Sequence, residues 1–320
     1  MKNILVVGGA GYIGGALTDI LMAKRYTVTV FDRLLYEDRF LKNVPFIFGD
    51  IRDTDQLVAI HAKYDTIIWL AALVGDGACA QDPELTYEVN YHALKRFLDK
   101  TNRKIIYPST CSVYGAQEGI LTEQSPTNPL SVYAETKLLG EKLVLQKGGL
   151  AFRLGTLFGV GDNYSRLRLD LVVNVLAYKA LAAKKITVFG GEQWRPVLAV
   201  SDVAEYFAEA VTRDYNDVFN LSKSNIRVKD LAGIYKNIIP DLAVEIVDSK
   251  FEDLRNYQVS TEKSDKNFIF KPKVSIESEV HRMMNLLRER RIKNPLDPIY
   301  YNTHFVKATL DKIWAFERAA

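Results

Sequence analysis

Residues 4–21 read ILVVGGAGYIGGALTDIL, and their order decides the fold. Four apolar residues make a short buried strand, glycines crowd the next stretch, and helical spacing begins at Tyr12. Gly9-x-Gly11-x-x-Gly14 and the overlapping Gly8-x-x-Gly11-x-x-Gly14 sit between strand and helix. Glycines there permit a tight turn and let the backbone approach a pyrophosphate, which the helix N-terminus favours through its unpaired N–H groups and dipole. Gly8, Gly11, Tyr12, Ile13 and Gly14 are therefore candidate contacts for a dinucleotide. The next apolar run, TVTVFD, ends in Asp32, 18 residues beyond Gly14. A carboxylate at that distance suits an adenosine ribose and favours NAD over NADP. Arg33 beside it is the residue that would receive a 2′-phosphate instead.

Outward from this turn the first half alternates. Apolar, β-rich runs occur at 4–7, 27–31, 45–48, 66–70, 104–107 and 150–154, with helical spacing over 12–24, 54–62, 84–100 and 132–146. Repetition of strand and helix predicts a parallel sheet covered by helices on both faces, an α/β Rossmann fold. After about residue 155 the elements shorten. GTLFGVGDNYSRLRLD reads as loop, 169–183 as helix, and ITVFGG, VFNL and AVEIV as short strands. A helix capped by Ser201 and another over 277–290 follow. The expectation is a dinucleotide domain over 1–160, to which later segments return, and a smaller lobe over 161–320.

Composition excludes several classes. The 320 residues are 48% hydrophobic and 25% charged with net charge +3, the balance of a soluble protein without a nucleic-acid footprint. The glycine-rich N-terminus makes a poor signal peptide, and no run of 18 apolar residues occurs, so a cytoplasmic protein off the membrane is expected. Cys79 and Cys111 form no CxxC pair, and the four histidines are scattered, so no metal site is expected.

Two further stretches carry chemistry. YPSTCSVYG, residues 107–115, ends the KII strand in a burst of hydroxyls: Ser109, Thr110, Ser112 and Tyr114. Strand ends in α/β proteins open onto the ligand crevice. SVYAETK then places Tyr133 and Lys137 four residues apart, on one face of a helix. A nearby ammonium and a positively charged nicotinamide would lower the phenol from its ordinary value near ~10 and let it take a proton from an alcohol.

This order of motifs resembles the extended short-chain dehydrogenase/reductase family, the NAD-dependent nucleotide-sugar epimerases and dehydratases. The resemblance spans nearly the whole chain: GGAGYIG, Asp32, FGDIRD, WLAALV, PSTCSVYG, YAETK, WRPVLAVSDVA and VFNL. It implies that Asp50 and Ile51 lie near the adenine, that Leu70, Ala71 and Ala72 line the cofactor, and that Asn90 is the family's asparagine after the fourth strand. Thr110 falls at the hydroxyl that bonds the reacting sugar oxygen, Tyr133 at the acid or base, and Lys137 at the nicotinamide ribose. Arg195 matches the arginine that binds the sugar-nucleotide diphosphate, with Arg255 and Tyr257 as a second contact and Arg166, Arg168 and Asn174 further along.

Departures narrow the activity. The family's 4,6-dehydratases follow the Ser or Thr with Asp-Glu, a general acid and base for elimination. Cys111 and Ser112 stand there, which argues for oxidation, most often at C4, by a 4-dehydrogenase or 4-epimerase. Thr156 replaces an asparagine that usually contacts substrate, and Ala199 the usual histidine. RLGTLFG with RLRLDLVVN and QWRPV looks like a branch acting on activated hexoses or heptoses of bacterial surface polysaccharides, with GDP-heptose enzymes nearest. The segments 84–100 and 132–146 correspond to the family's four-helix homodimer interface. A non-catalytic NAD-binding sensor or scaffold is the alternative, and the intact Thr110, Tyr133, Lys137 and Arg195 argue against it.

Overall fold

The computed structural model describes residues 2–101, 103–247 and 256–315. Fourteen strands are described: β1 (Asn3–Val7), β2 (Thr27–Asp32), β3 (Phe46–Phe48), β4 (Thr66–Trp69), β5 (Lys104–Thr110), β6 (Ala116–Leu121), β7 (Leu150–Leu154), β8 (Thr156–Phe158), β9 (Lys185–Phe189), β10 (Trp194–Ala199), β11 (Val218–Leu221), β12 (Ser224–Arg227), β13 (Ala243–Val247) and β14 (Asn256–Val259). Seven form one parallel sheet in the order β11-β7-β5-β4-β1-β2-β3. The order reverses between β1 and β4, and such a switch point opens a crevice at the carboxyl ends of the strands. The glycine turn follows β1 at that crevice.

Each central strand is buried on both faces, which is why it reads as an unbroken apolar run. Ile4 and Val6 pack with Leu17, Leu21, Phe152 and Phe207 on one face. Leu5 and Val7 pack with Trp69, Phe97 and Leu57 on the other. A third cluster, with Leu176, Val188, Leu231 and Tyr235, fills the lobe built by later residues. Elements from beyond residue 160 return to the sheet: β11 forms its edge, the helix Val200–Ala210 packs on the glycine-turn helix Tyr12–Ala23, and the helix Asn302–Trp314 packs in the cluster of Leu5 and Val7.

Several elements differ from the sequence expectation. The segment 84–100 is two α-helical pieces, Pro83–Tyr87 and Ala93–Asp99, joined by a π-helical turn, Glu88–His92. Asn90 explains the turn: its side chain exchanges two hydrogen bonds with the backbone of Leu73, at 2.8 and 2.9 Å. Ser201 does not cap its helix, which starts at Val200 behind Ala199. The stretch after Gly155, read as loop, begins with β8, which pairs with β10. The C-terminal helix Asn302–Trp314 had no expectation attached.

Candidate active site

A cavity of about 300 Å³ opens at the carboxyl ends of β1, β2, β4, β5 and β7. The glycine turn forms one wall. Gly8 holds φ +86°, and a Cβ there would stand 2.4 Å from the Ala71 nitrogen. A Cβ on Gly14 would stand 2.5 Å from the Gly8 carbonyl oxygen. Only glycine lets the turn close this tightly and bring the helix N-terminus to a phosphate, so the cradle fits a dinucleotide. Tyr12 anchors the helix start by donating from its hydroxyl to the Gly159 carbonyl at 2.5 Å.

The adenosine end is set by β2. Asp32 accepts from the Ala10 and Leu34 backbone N–H groups, at 3.0 and 2.8 Å. Arg33 turns away to Asp50, 2.7 Å distant. Asp50 also takes two bonds from Arg52, at 3.0 and 2.8 Å. Burial alone would raise the Asp50 carboxyl, but the arginines override it and hold it below the usual carboxylate range. Gly8, Gly11, Tyr12, Ile13, Gly14, Asp32, Asp50, Ile51, Leu70, Ala71 and Ala72 all line the cavity.

The residues expected to react are carried by β5 and the helix Val132–Gln146. Thr110, Tyr133 and Lys137 line the same cavity. Thr110 accepts the Ser112 N–H at 3.1 Å, which leaves its own proton to donate. The helix is positioned at its N-terminus: Ser131 caps it, accepting from Ala134 N at 3.2 Å, and donates to Asp76 at 2.5 Å. Thr136 meets Asn90 at 3.3 Å, which ties the π-helical turn to the same helix. Lys137 is buried with its ammonium 4.0 Å from the centre of the Tyr107 ring.

Burial raises the Tyr133 phenol, with Cys79 and Asp76 adding to it, and Arg168 and the Thr110 hydroxyl oppose the rise. The sequence reading had a nearby ammonium and a positively charged nicotinamide lower this value together. Burial instead pulls Lys137 itself down to about 7, against Cys79 and Glu141. The protein alone therefore keeps Tyr133 a protonated phenol. Cys79 and Cys111 are pushed up by burial, Cys79 to about 12, so neither is a thiolate at neutral pH.

The hydroxyls after β5 divide. Ser109 donates to Glu141 at 2.5 Å, and Tyr114 to Asn220 at 2.7 Å. Both join a buried network in which Arg153 grips Glu141. Ser109 and Ser112 both line the cavity, with Ser112 3.3 Å from the hydroxyl of Tyr257, itself a lining residue.

The expected substrate contacts also separate. Thr156 and Arg168 line the cavity. Arg168 is buried, holds Asp170 by two bonds of 2.8 Å, and influences both Tyr12 and Tyr133. Asn174 is not among the lining residues: it clamps the loop between Gly159 and Arg168 through their backbone groups. Arg195 is buried on β10, also outside the lining, and donates to the Trp194 carbonyl at 2.8 Å. Arg255 lies outside the described residues. Sequence reasoning missed Asp76, Asn302 and Ile313. Asn302 and Ile313 line the cavity from more than 160 residues beyond Tyr133, and no local motif marks them.

Residues 4–222 match the family model "NAD dependent epimerase/dehydratase family". The chain belongs to this family. It is 38% identical to a UDP-glucose 4-epimerase of Halalkalibacterium halodurans over 148 residues, 44% of each chain, so this likeness spans less than half of that relative. A putative UDP-glucose 4-epimerase of Methanocaldococcus jannaschii is 27% identical over 301 residues, 89% of this chain and 98% of the other. The fold is shared with the UDP-glucose 4-epimerase of Thermotoga maritima, solved with UDP-glucose: TM-score 0.79 and 23% identity, over 90% of this chain and 99% of that one. NAD is the cofactor of the family, and the glycine cradle and Asp32 are the residues that would hold it. Among the described residues no helix is long and apolar enough to cross a membrane.

Proposed function

We propose that this family member oxidises a nucleotide-diphosphate sugar at C4 and acts through a 4-keto sugar as a 4-epimerase or 4-dehydrogenase. One observation carries the reading: Thr110, Tyr133 and Lys137 meet the glycine cradle in a single cavity, and the two residues after Thr110 are uncharged. NAD, when bound, supplies the hydride acceptor and donor. Thr110 orients the sugar oxygen by donating to it. Tyr133, raised by burial, is the acid that returns a proton to a carbonyl oxygen and, once a cation stands beside it, the base that removes one. Lys137 faces the cavity, where a ribose hydroxyl would accept from it.

Elimination has no support at the positions where the family's dehydratases carry it. The Cys111 thiol turns away to the Arg153 carbonyl at 3.2 Å, and Ser112 pairs with Tyr257. Arg168, Thr156 and Tyr257 close the sugar end. The substrate is an activated hexose or heptose of surface polysaccharide, with GDP-heptose first in the panel, and the active form is a homodimer.

The test is incubation with NAD and a panel of UDP-, GDP-, dTDP- and CDP-sugars, with products read by mass spectrometry and NMR. Unchanged mass with inverted C4 supports epimerisation, and loss of two hydrogens with NADH accumulating supports dehydrogenation. Loss of water would overturn the argument from Cys111 and Ser112.

A further inference from the structure

Lys137 carries an ammonium into the interior without an ion partner. The residue is 3% exposed, and among the described residues it makes no hydrogen bond and no ion pair through that group. What the ammonium meets is the face of the Tyr107 ring, 4.0 Å from its centre. Glu141, one turn further along the same helix, is committed elsewhere: it takes two bonds from Arg153, at 3.1 and 2.7 Å, and one from Ser109 at 2.5 Å. Cys79, on the helix Asp76–Cys79, is held a neutral thiol by burial, and Tyr133, one turn back, a neutral phenol.

The strand β5 accounts for the placement. Alternate residues of a strand share a face, so Tyr107 and Ser109 both meet the helix Val132–Gln146, the first at Lys137 and the second at Glu141. Tyr107 is 1% exposed and does not line the cavity, so it stands behind the wall that carries Lys137. Gly140 lets the helix lie this close. A Cβ there would stand 2.4 Å from the Tyr107 hydroxyl oxygen and 2.8 Å from the ring carbon that bears it. Glycine in mid-helix weakens the helix, and this ring is what it makes room for. The Tyr107 hydroxyl itself has no hydrogen-bond partner among the described residues, and burial keeps it protonated.

A ring face attracts a cation through its quadrupole. It has no lone pair to claim the N–H donors, so these stay available to the cavity. A carboxylate in the same place would claim them and hold the amine charged far above neutral pH. We propose that Tyr107 is the positioning residue of Lys137: its ring holds the ammonium from behind, with the donors free for the cavity, and so sustains a cation beside Tyr133 in a buried place. The inference rests on the proton transfer through Tyr133 proposed above and names the group that supports it. Burial brings Lys137 to about 7, so modest support decides how much of it is charged at neutral pH.

Tyr107→Phe keeps the ring and drops the hydroxyl, and Tyr107→Leu removes the ring. Should the leucine variant fold poorly by circular dichroism, trifluorophenylalanine in place of Tyr107 keeps the shape and withdraws electron density from the ring face. Lys137 is followed in nucleotide-free protein by NMR of isotope-labelled lysine, its signal identified by its absence from Lys137→Met. The phenylalanine variant is expected to titrate as the wild type does. The leucine and trifluoro variants are expected to bind the Lys137 proton about tenfold more weakly. With a sugar that is turned over, the alkaline loss of kcat then moves to lower pH in these two, and the phenylalanine variant keeps the wild-type profile. A Lys137 proton held as tightly without the ring, a loss equally large in Tyr107→Phe, or a kcat profile that does not follow Lys137 would overturn the inference. A weakened Lys137 in the ring variants, with no turnover of any sugar by the wild type, leaves the ring's hold on Lys137 standing and removes the proposed function.

Discussion

Tyr133 and Lys137 sit one helical turn apart, and burial moves them in opposite directions. Burial favours the neutral form of each, keeping the phenol protonated and bringing the amine near its midpoint at neutral pH. On the proposed proton transfer through Tyr133, Tyr133→Phe is expected to lower turnover by roughly 10²–10⁴-fold while NAD stays bound, checked by steady-state kinetics beside NAD titration. Lys137 has a stability signature. Its folded value, about 7, lies below the unfolded 10.5, so between them the unfolded chain binds more protons and stability rises with pH. The penalty for burying the ammonium is full below about 7 and fades toward 10.5. Lys137→Met should therefore raise the melting temperature of nucleotide-free protein most at pH 6–7 and least near pH 10. A pH-independent gain would remove the assignment.

At the scale of the element, the helix Val132–Gln146 is aimed from its first turn. Ser131 caps it and also meets Asp76, on the short helix Asp76–Cys79 after β4. Losing the cap in Ser131→Ala should cost about 1 kcal/mol in urea unfolding. Ser131→Asp separates the two roles: aspartate caps as well as serine in an isolated helix, but here it puts a second carboxylate against Asp76. It is expected to be no more stable than the alanine variant at pH 7, and full rescue would show that the contact with Asp76 carries nothing. The π-helical turn at Asn90 works in the same way, trading regular helix for two bonds to Leu73 that fix the loop lining the cavity.

Across the whole molecule, one buried ion pair joins the pieces under the site. Glu141 from the catalytic helix takes two bonds from Arg153 on β7, and the network reaches Tyr114 after β5 and Asn220 on β11. Removing one partner leaves a charge uncompensated in the interior. Arg153→Met should cost about 3–5 kcal/mol, and the Arg153→Met, Glu141→Leu double variant less than the sum of the singles. Additivity in denaturant melts would mean the two charges do not depend on each other. The C-terminal helix belongs to this scale too, since it returns to the sheet after about 300 residues of chain.

The sequence by itself determined the sheet, the glycine turn, Asp32 and the Tyr133–Lys137 pair. Each is written locally: a strand buried on both faces must be apolar throughout, a tight turn must be glycine, and residues four apart on a helix share a face. Thr110 was legible only as one of several hydroxyls at a strand end, and the resemblance to the family singled it out. Only the tertiary structure decided which hydroxyl neighbours of Thr110 are committed to buried partners, because Ser109 and Tyr114 answer to Glu141 and Asn220, distant in sequence. It also decided that Asn174 clamps a loop, that burial raises the Tyr133 phenol, and that Asn302 and Ile313 line the cavity. Burial and partnership depend on what packs from far along the chain, and no spacing within a motif encodes them.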